Sequence, residues 1–183
     1  MPIIQPFARS VWRTCRGHRP LNKKHGVFFI TLLLVIGLDQ ISKIYISSVM
    51  SLHASYPVID GFFNITYVRN PGAAFGLFAN ASPMFRSLFL IVVSAAAILM
   101  ILWFLAKNKS AGMLLTFALS LILGGAAGNL LDRIRFGDVV DFFDLYIGSC
   151  HWPAFNIADS AISVGAMLLV VEMFVRKSGS LRQ

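Results

Sequence analysis

The sequence predicts an all-α integral membrane protein with four transmembrane helices, a small extracytoplasmic β-sheet that forms a cradle, and a short interfacial helix. Three observations support this fold class. The chain of 183 residues is 57% hydrophobic and only 13% charged, about half the charged fraction of an average soluble domain. Its mean hydropathy is +0.73. Its apolar residues fall into four stretches, each close to the ~20 residues that a helix needs to cross the ~30 Å hydrocarbon core.

The four stretches are 26–50, 87–106, 110–131 and 153–175. The second and third carry no charge, whereas the first contains Asp39, Gln40 and Lys43. A basic segment followed by residues 26–38 is also typical of the start of a cleaved signal peptide. The small-x-small cleavage site is missing after it, so we expect an uncleaved first helix. We therefore divide the chain into a basic cytoplasmic tail (1–25), a membrane domain (26–177) and a short cytoplasmic tail (178–183).

Charge is distributed unequally between the two ends of the predicted bundle. The end that holds both termini and the loop at 107–112 carries eleven of the 16 basic residues and one acid, Glu172. The opposite end carries the other five basic residues and seven of the eight acids. The positive-inside rule places both termini in the cytoplasm. The basic surplus favours anionic membrane lipid as a partner, and no motif for nucleic-acid binding is present.

Two outer segments connect the helices. In the first, about 51–83, Asp60-Gly61 is a favoured two-residue hairpin turn, and residues 63–68 alternate as a half-buried strand does. Asn70-Pro71-Gly72 then predicts a turn. We expect a small sheet at the outer surface. The second segment, about 132–152, is too charged to span the membrane and too apolar to be free in solvent, which predicts an interfacial element.

Polar residues on three of the helices lie at similar depth. Asp39, Asn129 and Asp159 are about 21, 28 and 25 Å from the basic ends of their helices, at ~1.5 Å per residue. Asp141 precedes the fourth helix and can fold back to the same level. Intramembrane carboxylates are costly and usually functional, so this level is the predicted site.

The third helix supports that prediction. Gly125, Asn129 and Asp132 form one stripe, and a G-x-x-x-G pattern at 124–128 lies beside it. Small residues allow helices in lipid to approach closely, and packing alone would explain the glycines. The polar stripe that ends at Asp132-Arg133 is harder to explain by packing. We expect Asp132 to pair with an arginine, and Arg133 to pair with Asp132 or a neighbouring acid.

Carboxylates are the main candidates for chemistry. No Ser-His arrangement, glycine-rich phosphate loop or HExxH motif occurs, and neither a metal site nor a disulfide is predicted. Asp141 and Asp159 flank a short apolar connection. Two carboxylates held close together cannot both ionise, so the pair offers an acid and a base that can activate water against an amide.

Each carboxylate also has a purely structural interpretation. Asp141 and Asp159 could pair separately with Lys43, Arg69 or Arg133. An i,i+4 ion pair with Lys43 is the preferred interpretation of Asp39. Asp138 and Asp144 are expected on a solvated face.

Other functional classes remain possible on the residues alone. A small ion-coupled transporter would use intramembrane Asp and Asn residues, but here they gather at one level and no inverted repeat is apparent. A lipid-headgroup transferase would need metal-binding aspartates on the cytoplasmic side, where the chain has none. A structural membrane subunit would tolerate loss of the Asp159 carboxylate.

Five motifs resemble those of the lipoprotein signal peptidases, or type II signal peptidases, in order and spacing. They are LDQISK (38–43), NPGAAFG (70–76), GGAAGNLLDR (124–133), VVDFF (139–143) and FNIADS (155–160). The resemblance covers about residues 26–177. It implies an aspartic endopeptidase of the bacterial inner membrane whose site lies near the periplasmic face. We expect a monomer that needs no cofactor. The implied substrates are diacylglyceryl-modified prolipoproteins, cleaved just before the lipidated cysteine.

The resemblance also assigns roles to residues. It makes Asp141 and Asp159 the catalytic pair. The residues that it implies bind substrate or support the site are Asp39, Gln40, Asn70, Gly72, Asn129, Asp132, Arg133 and Asn156. The basic tail at 1–25 is longer than the family core requires.

Overall fold

The computed structural model describes residues 23–72 and 82–180, with side chains as far as Val175. Four helices and four strands follow one another along the chain. They are α1 (Lys23–Val49), β1 (Ser55–Ile59), β2 (Phe63–Asn70), α2 (Pro83–Lys107), α3 (Met113–Phe136), β3 (Val139–Ile147), β4 (Cys150–His151) and α4 (Ile157–Ser180). All four helices are long and apolar enough to cross a membrane, which confirms the four predicted spans. The predicted N-terminal tail lies outside the described residues except for its last three, which begin α1.

Helix α3 is the centre of the bundle and packs against each of the other three helices. Glycines make the close approaches possible. A Cβ on Gly124 would lie 2.8 Å from Cβ of Val35 on α1, and one on Gly125 would collide with the backbone of Ala158 on α4. On the other side of the same contact, a Cβ on Gly165 would lie 2.7 Å from the carbonyl oxygen of Ala118. The glycine stripe of α3 therefore lets α1 and α4 each pack closely against α3, as small residues do in lipid.

Local sequence sets the helix boundaries. Helix α2 begins at Pro83, the favoured first helical position for proline, and the Ser82 hydroxyl accepts a hydrogen bond from the Phe85 amide at 3.3 Å. Helix α3 ends where Gly137 adopts φ of +81° and donates to the Arg133 carbonyl at 2.9 Å. Glycine is favoured here because the left-handed conformation is unfavourable for residues with a Cβ.

The four strands form one antiparallel sheet in the order β1-β2-β3-β4, which confirms the small sheet. The hairpin between β1 and β2 differs from the prediction because its connection has three residues, Asp60 to Phe62. Gly61 has φ of +79° there, and its amide donates to the Tyr146 hydroxyl at 2.9 Å. β2 ends at Asn70, as predicted.

The predicted short interfacial helix is wrong for the second outer segment. Within the described residues every helix is one of the four long ones, and residues 139–147 form strand β3. β2 leaves an edge to which β3 pairs along most of its length. Pairing satisfies the backbone groups of β3 while Val140 and Phe142 are buried. A helix would leave the β2 edge unpaired.

An apolar cluster joins the sheet to the end of α1. Ile46 of α1, Tyr67 of β2, and Val140 and Phe142 of β3 form its buried centre. Successive side chains of a strand point to opposite faces. The burial of Val140 and Phe142 in this cluster therefore turns the intervening Asp141 away from it, towards the start of α4.

The glycine contact between α3 and α4 yields a test of packing. Gly125→Ala should lower the free energy of unfolding by about 1–3 kcal/mol, because its methyl group would collide with Ala158 and lie 2.8 Å from Ile162 Cγ1. Gly37→Ala is the matched control, since a Cβ there meets nothing within 4 Å. The measurement is thermal unfolding of both variants in detergent. Equal unfolding temperatures for the two variants would contradict this account of the contact.

Candidate active site

Lys43 holds the first part of the site together. Its ammonium lies 2.8 Å from Oδ2 of Asp39 and 2.9 Å from Oδ2 of Asp132, and it donates to Oδ1 of Asn129 at 2.9 Å. Lys43, Asp39 and Asp132 are 3%, 0% and 2% exposed. The predicted Asp39–Lys43 ion pair is confirmed. The predicted arginine partner of Asp132 is wrong, because Lys43 reaches it across the α1–α3 contact.

The two buried carboxylates also bind backbone amides of other elements. Oδ1 of Asp39 accepts from the amide of Ala158 at 3.0 Å, at the start of α4. Oδ2 of Asp132 accepts from the amide of Val140 at 3.3 Å, in β3. The ion-paired cluster therefore fixes the backbone directly before each of the two predicted catalytic residues.

Gln40 lies at the edge of this cluster. Its amide nitrogen donates to Oδ1 of Asp132 at 2.9 Å and to the carbonyl of Gly128 at 3.2 Å. Its oxygen accepts from Arg135 at 3.2 Å. Gln40 is therefore a structural link between α1 and α3.

The start of α4 is a reciprocal capping arrangement. Oδ1 of Asn156 accepts from the amide of Asp159 at 2.9 Å, and Oδ2 of Asp159 accepts from the amide of Asn156 at 3.3 Å. This is the geometry of a capping box, with Asp in the position that Glu or Gln commonly occupies. The spacing in FNIADS thus both begins the helix and fixes the Asp159 carboxylate.

Asn156 also binds the second predicted catalytic residue. Its side-chain nitrogen donates to Oδ1 of Asp141 at 2.7 Å and to Oδ1 of Asn129 at 3.2 Å. Asn129 in turn donates to Oδ1 of Asp159 at 2.7 Å. Asp141 and Asp159 are therefore each one hydrogen bond from Asn156, and they interact electrostatically. The structure brings together the two carboxylates that the sequence paired.

β2 supplies the remaining contact to Asp141. Asn70 donates to Oδ2 of Asp141 at 2.9 Å, and Oδ1 of Asn70 accepts from the amide of Gly72 at 2.8 Å. Gly72 has φ of +90° and no room for a Cβ, which would collide with Leu90. The Asn70–Gly72 turn therefore orients the Asn70 amide. Residues 73–76 of the same motif lie outside the described residues.

The two carboxylates differ in environment. Asp141 is 1% exposed, whereas Asp159 is partly exposed. Burial, and secondarily the negative charge of Asp159, raise the pKa of Asp141 to about 7, against hydrogen bonds from Asn70 and Asn156 that favour its ionised form. Near neutral pH the Asp141 carboxyl can therefore hold or release a proton, as a general acid or base must.

Arg133 has a different arrangement from the predicted one. It forms no salt bridge with any residue in the described part of the chain. Its Nη1 is 3.5 Å from the carbonyl of Asn129, and its buried Nε has no hydrogen-bond partner among residues 23–72 and 82–175. The charge of the guanidinium still acts on Asp159, Asp141 and Asp132. Arg133 is thus a cation beside the carboxylates whose Nε donor is used by no group in the described part of the chain.

The two other acids of the segment lie outside the site. Asp138 is half-buried and pairs with Arg69 at 2.8 Å. The prediction of a solvated Asp144 is wrong, because it is buried and accepts from Asn64 at 2.9 Å while lying 2.8 Å from Nδ1 of His151. Asp144 lies two residues after Phe142 in β3 and therefore on the same, buried face of the strand, a feature that composition could not reveal.

Helical spacing pairs Lys43 with Asp39 and leaves it a possible partner of Asp141 or Asp159, whereas in the structure it binds Asp39, Asp132 and Asn129. The sequence signal for this wider role is that Lys43 is the one cation within the apolar stretch 26–50.

The acids of the site do not form a metal centre with other described residues. No group of three or more His, Cys, Asp or Glu side chains in the described ranges could hold an ion. The donors around Asp141 and Asp159 are amides, so the arrangement suits acid–base work on a polar substrate.

The cluster around Lys43 predicts a large cost for removing its charge. Lys43→Met should destabilise the protein by about 3–5 kcal/mol, because the Asp39 and Asp132 carboxylates would be left buried without a cation. Lys23→Met, on the exposed first turn of the same helix, is the control and should have little effect. Thermal unfolding of both variants in detergent provides the comparison. A Lys43→Met protein as stable as the control would show that the cluster does not hold the helices together.

Comparison with known proteins agrees with this geometry. A family model described as signal peptidase (SPase) II matches residues 31–175. A lipoprotein signal peptidase of Syntrophus aciditrophicus (strain SB) is 56% identical over 157 residues, which is 86% of this chain and 98% of the relative. That of Desulforapulum autotrophicum is 49% identical over 144 residues, 79% of this chain and 89% of the relative.

A solved structure described as a bacterial membrane enzyme, determined by the in meso method at 2.3 Å resolution, matches with a TM-score of 0.75 and 33% sequence identity. The match covers 84% of this chain and 91% of the other. The family model spans all four helices and both halves of the carboxylate site. The chain therefore belongs to the signal peptidase II family.

Proposed function

We propose that this protein is an aspartic endopeptidase that removes the signal peptide from prolipoproteins, with Asp141 and Asp159 as the catalytic pair. As a member of its family it is a peptidase of the bacterial inner membrane with several membrane spans. One observation carries the assignment of the pair. Asn156 binds Asp141 through its side chain and Asp159 through its backbone amide, so two acids from different elements are held around one residue.

The environments of the two acids suggest a division of roles. Asp159 is partly exposed, and both of its oxygens accept hydrogen bonds, from the Asn129 side chain and the Asn156 amide. It removes a proton from a water molecule, whose oxygen then bonds to the scissile carbonyl carbon. Asp141, with its raised pKa, holds the proton that passes to the departing nitrogen as the carbon–nitrogen bond breaks. The two carboxyls exchange protonation states, and loss of product with proton exchange restores them.

Three other residues fit the binding of substrate or the alignment of the catalytic pair. Arg133 has an Nε donor beside the pair that no described residue uses, which suits a backbone carbonyl of the signal peptide near the scissile bond. Asn70 and Asn129 each donate to one catalytic carboxylate and align it against that bond. Such pre-positioning of reacting groups accounts for a large share of catalysis in general.

The position of the site suits a substrate already anchored in the membrane. We propose that the substrate cysteine carries diacylglycerol and that cleavage occurs just before it. The carboxylates lie where the helix bundle meets the sheet, so a signal helix and its lipid reach them by moving in the bilayer plane. The charge distribution supports cytoplasmic termini, and we infer from it a site near the periplasmic face. We propose that the active unit is a monomer with membrane lipid around it.

The catalytic pair is tested by single substitutions. Asp141→Asn and Asp159→Asn should each lower the turnover of a purified, diacylglyceryl-modified precursor by at least about 100-fold, because each removes a proton-transfer group. Asp144→Asn is the matched control, since it removes a buried carboxylate from the same strand, three residues from Asp141. It should retain activity. Unfolding temperatures establish that all three variants are folded. Normal turnover by folded Asp141→Asn or Asp159→Asn protein would refute the assignment.

The proposed roles predict a bell-shaped dependence of kcat/KM on pH. The alkaline side should fall with an apparent pKa near 7, because raising the pH through this value removes the proton from Asp141. The acid side should fall because the pair then loses the ionised carboxylate that accepts a proton from water. Initial rates between pH 4 and 9 with the lipidated precursor measure this profile. A flat profile with chemistry rate-limiting would count against the pair.

A further inference from the structure

A basic groove lies at the end of the bundle opposite the sheet. It is a cavity of about 450 Å³ between the first turns of α1 and the last turns of α2. Both helices pack on α3, but they make little contact with each other. The groove is therefore a gap between two helices and is remote from the carboxylate site.

The lining of the groove combines positive charge with an apolar wall. Lys24 and His25 of α1 and Lys109, just after α2, lie at its rim, and Phe29 and Leu102 line it. None of the described residues that line the groove is acidic. Seven of the eight acids of the chain belong to the opposite end, and the eighth, Glu172, is on α4.

The rim and the wall have the geometry of a lipid site. The Lys24 ammonium donates to the carbonyl of Ala111 at 2.7 Å. This bond fixes the ammonium at the groove and leaves two of its three N–H donors for a ligand. Lys109 forms no salt bridge with a described residue. Phe29 and Leu102 are 52% and 42% exposed, so the apolar wall opens to the surrounding hydrocarbon. Basic pockets between membrane helices bind anionic lipid headgroups in general.

We propose that this groove binds one anionic phospholipid of the surrounding bilayer. Its phosphate lies between Lys24 and Lys109, and an acyl chain lies along Phe29 and Leu102. Charge complementarity selects this occupant over the chain's own first 22 residues, which carry Arg9, Arg13, Arg16 and Arg19 and no acid. The inference does not depend on the peptidase activity.

The test measures lipid binding by native mass spectrometry of the full-length protein in detergent. Phosphatidylglycerol and phosphatidylcholine with identical acyl chains are compared. The wild-type protein should bind phosphatidylglycerol more tightly. Lys24→Gln/Lys109→Gln should weaken that binding by at least about tenfold, since each lysine near a membrane surface contributes about fivefold. Binding of phosphatidylcholine should not change.

The control removes the same charge from the same end. Lys23→Gln/Lys107→Gln changes two exposed lysines that do not line the groove, and it should weaken phosphatidylglycerol binding less than twofold. A second variant, Ala106→Trp, fills the groove without changing charge and should also weaken binding. Equal losses in the two double variants would show diffuse surface attraction and overturn the proposal. Unchanged binding in the groove double variant or in Ala106→Trp would overturn it as well.

Discussion

The ammonium of Lys43 between the Asp39 and Asp132 carboxylates is the interaction on which the site depends. All three groups are buried, and a charge within the hydrocarbon layer is tolerated when it is paired. The cluster joins α1 to α3, and its two carboxylates extend the connection to the backbone at Ala158 and Val140. The start of α4 and strand β3 are thus held to the same point. These are the two elements that carry Asp159 and Asp141.

Asparagine side chains connect this structural cluster to the two proposed catalytic carboxylates. Asn129 accepts from Lys43 and donates to Asp159, while Asn156 donates to Asn129 and Asp141. An amide side chain can donate and accept hydrogen bonds at once. It therefore fixes the orientation of one charged group relative to the next without adding charge. A lysine in the place of either asparagine would neutralise a carboxylate and prevent its proposed use as a base. The polar network therefore keeps two carboxylates close together and free of a direct ion pair within the described residues.

The two ends of the bundle use the same packing principle differently. At the sheet end, glycines of α3 let α1 and α4 each pack against α3 closely enough to bury an ion-paired network. At the other end α1 and α2 contact α3 but leave a gap between themselves, and this gap is lined by cations and aromatic residues. Helix α2 contributes no buried residue, so it can accommodate lipid along its length. Close packing thus coincides with the carboxylates, and loose packing coincides with the basic groove.

The sequence by itself determined the four spans, the sheet and the level of the polar residues, because hydropathy, alternation and rise per residue are local properties. It also indicated the Asp39–Lys43 pair, which is fixed by helical spacing. The tertiary structure decided which groups meet across elements. Lys43 rather than an arginine neutralises Asp132, Arg133 has no salt bridge in the described part, and residues 139–147 are a strand because the β2 edge requires a partner. Such choices depend on distances between segments far apart in the chain, and no local pattern encodes them.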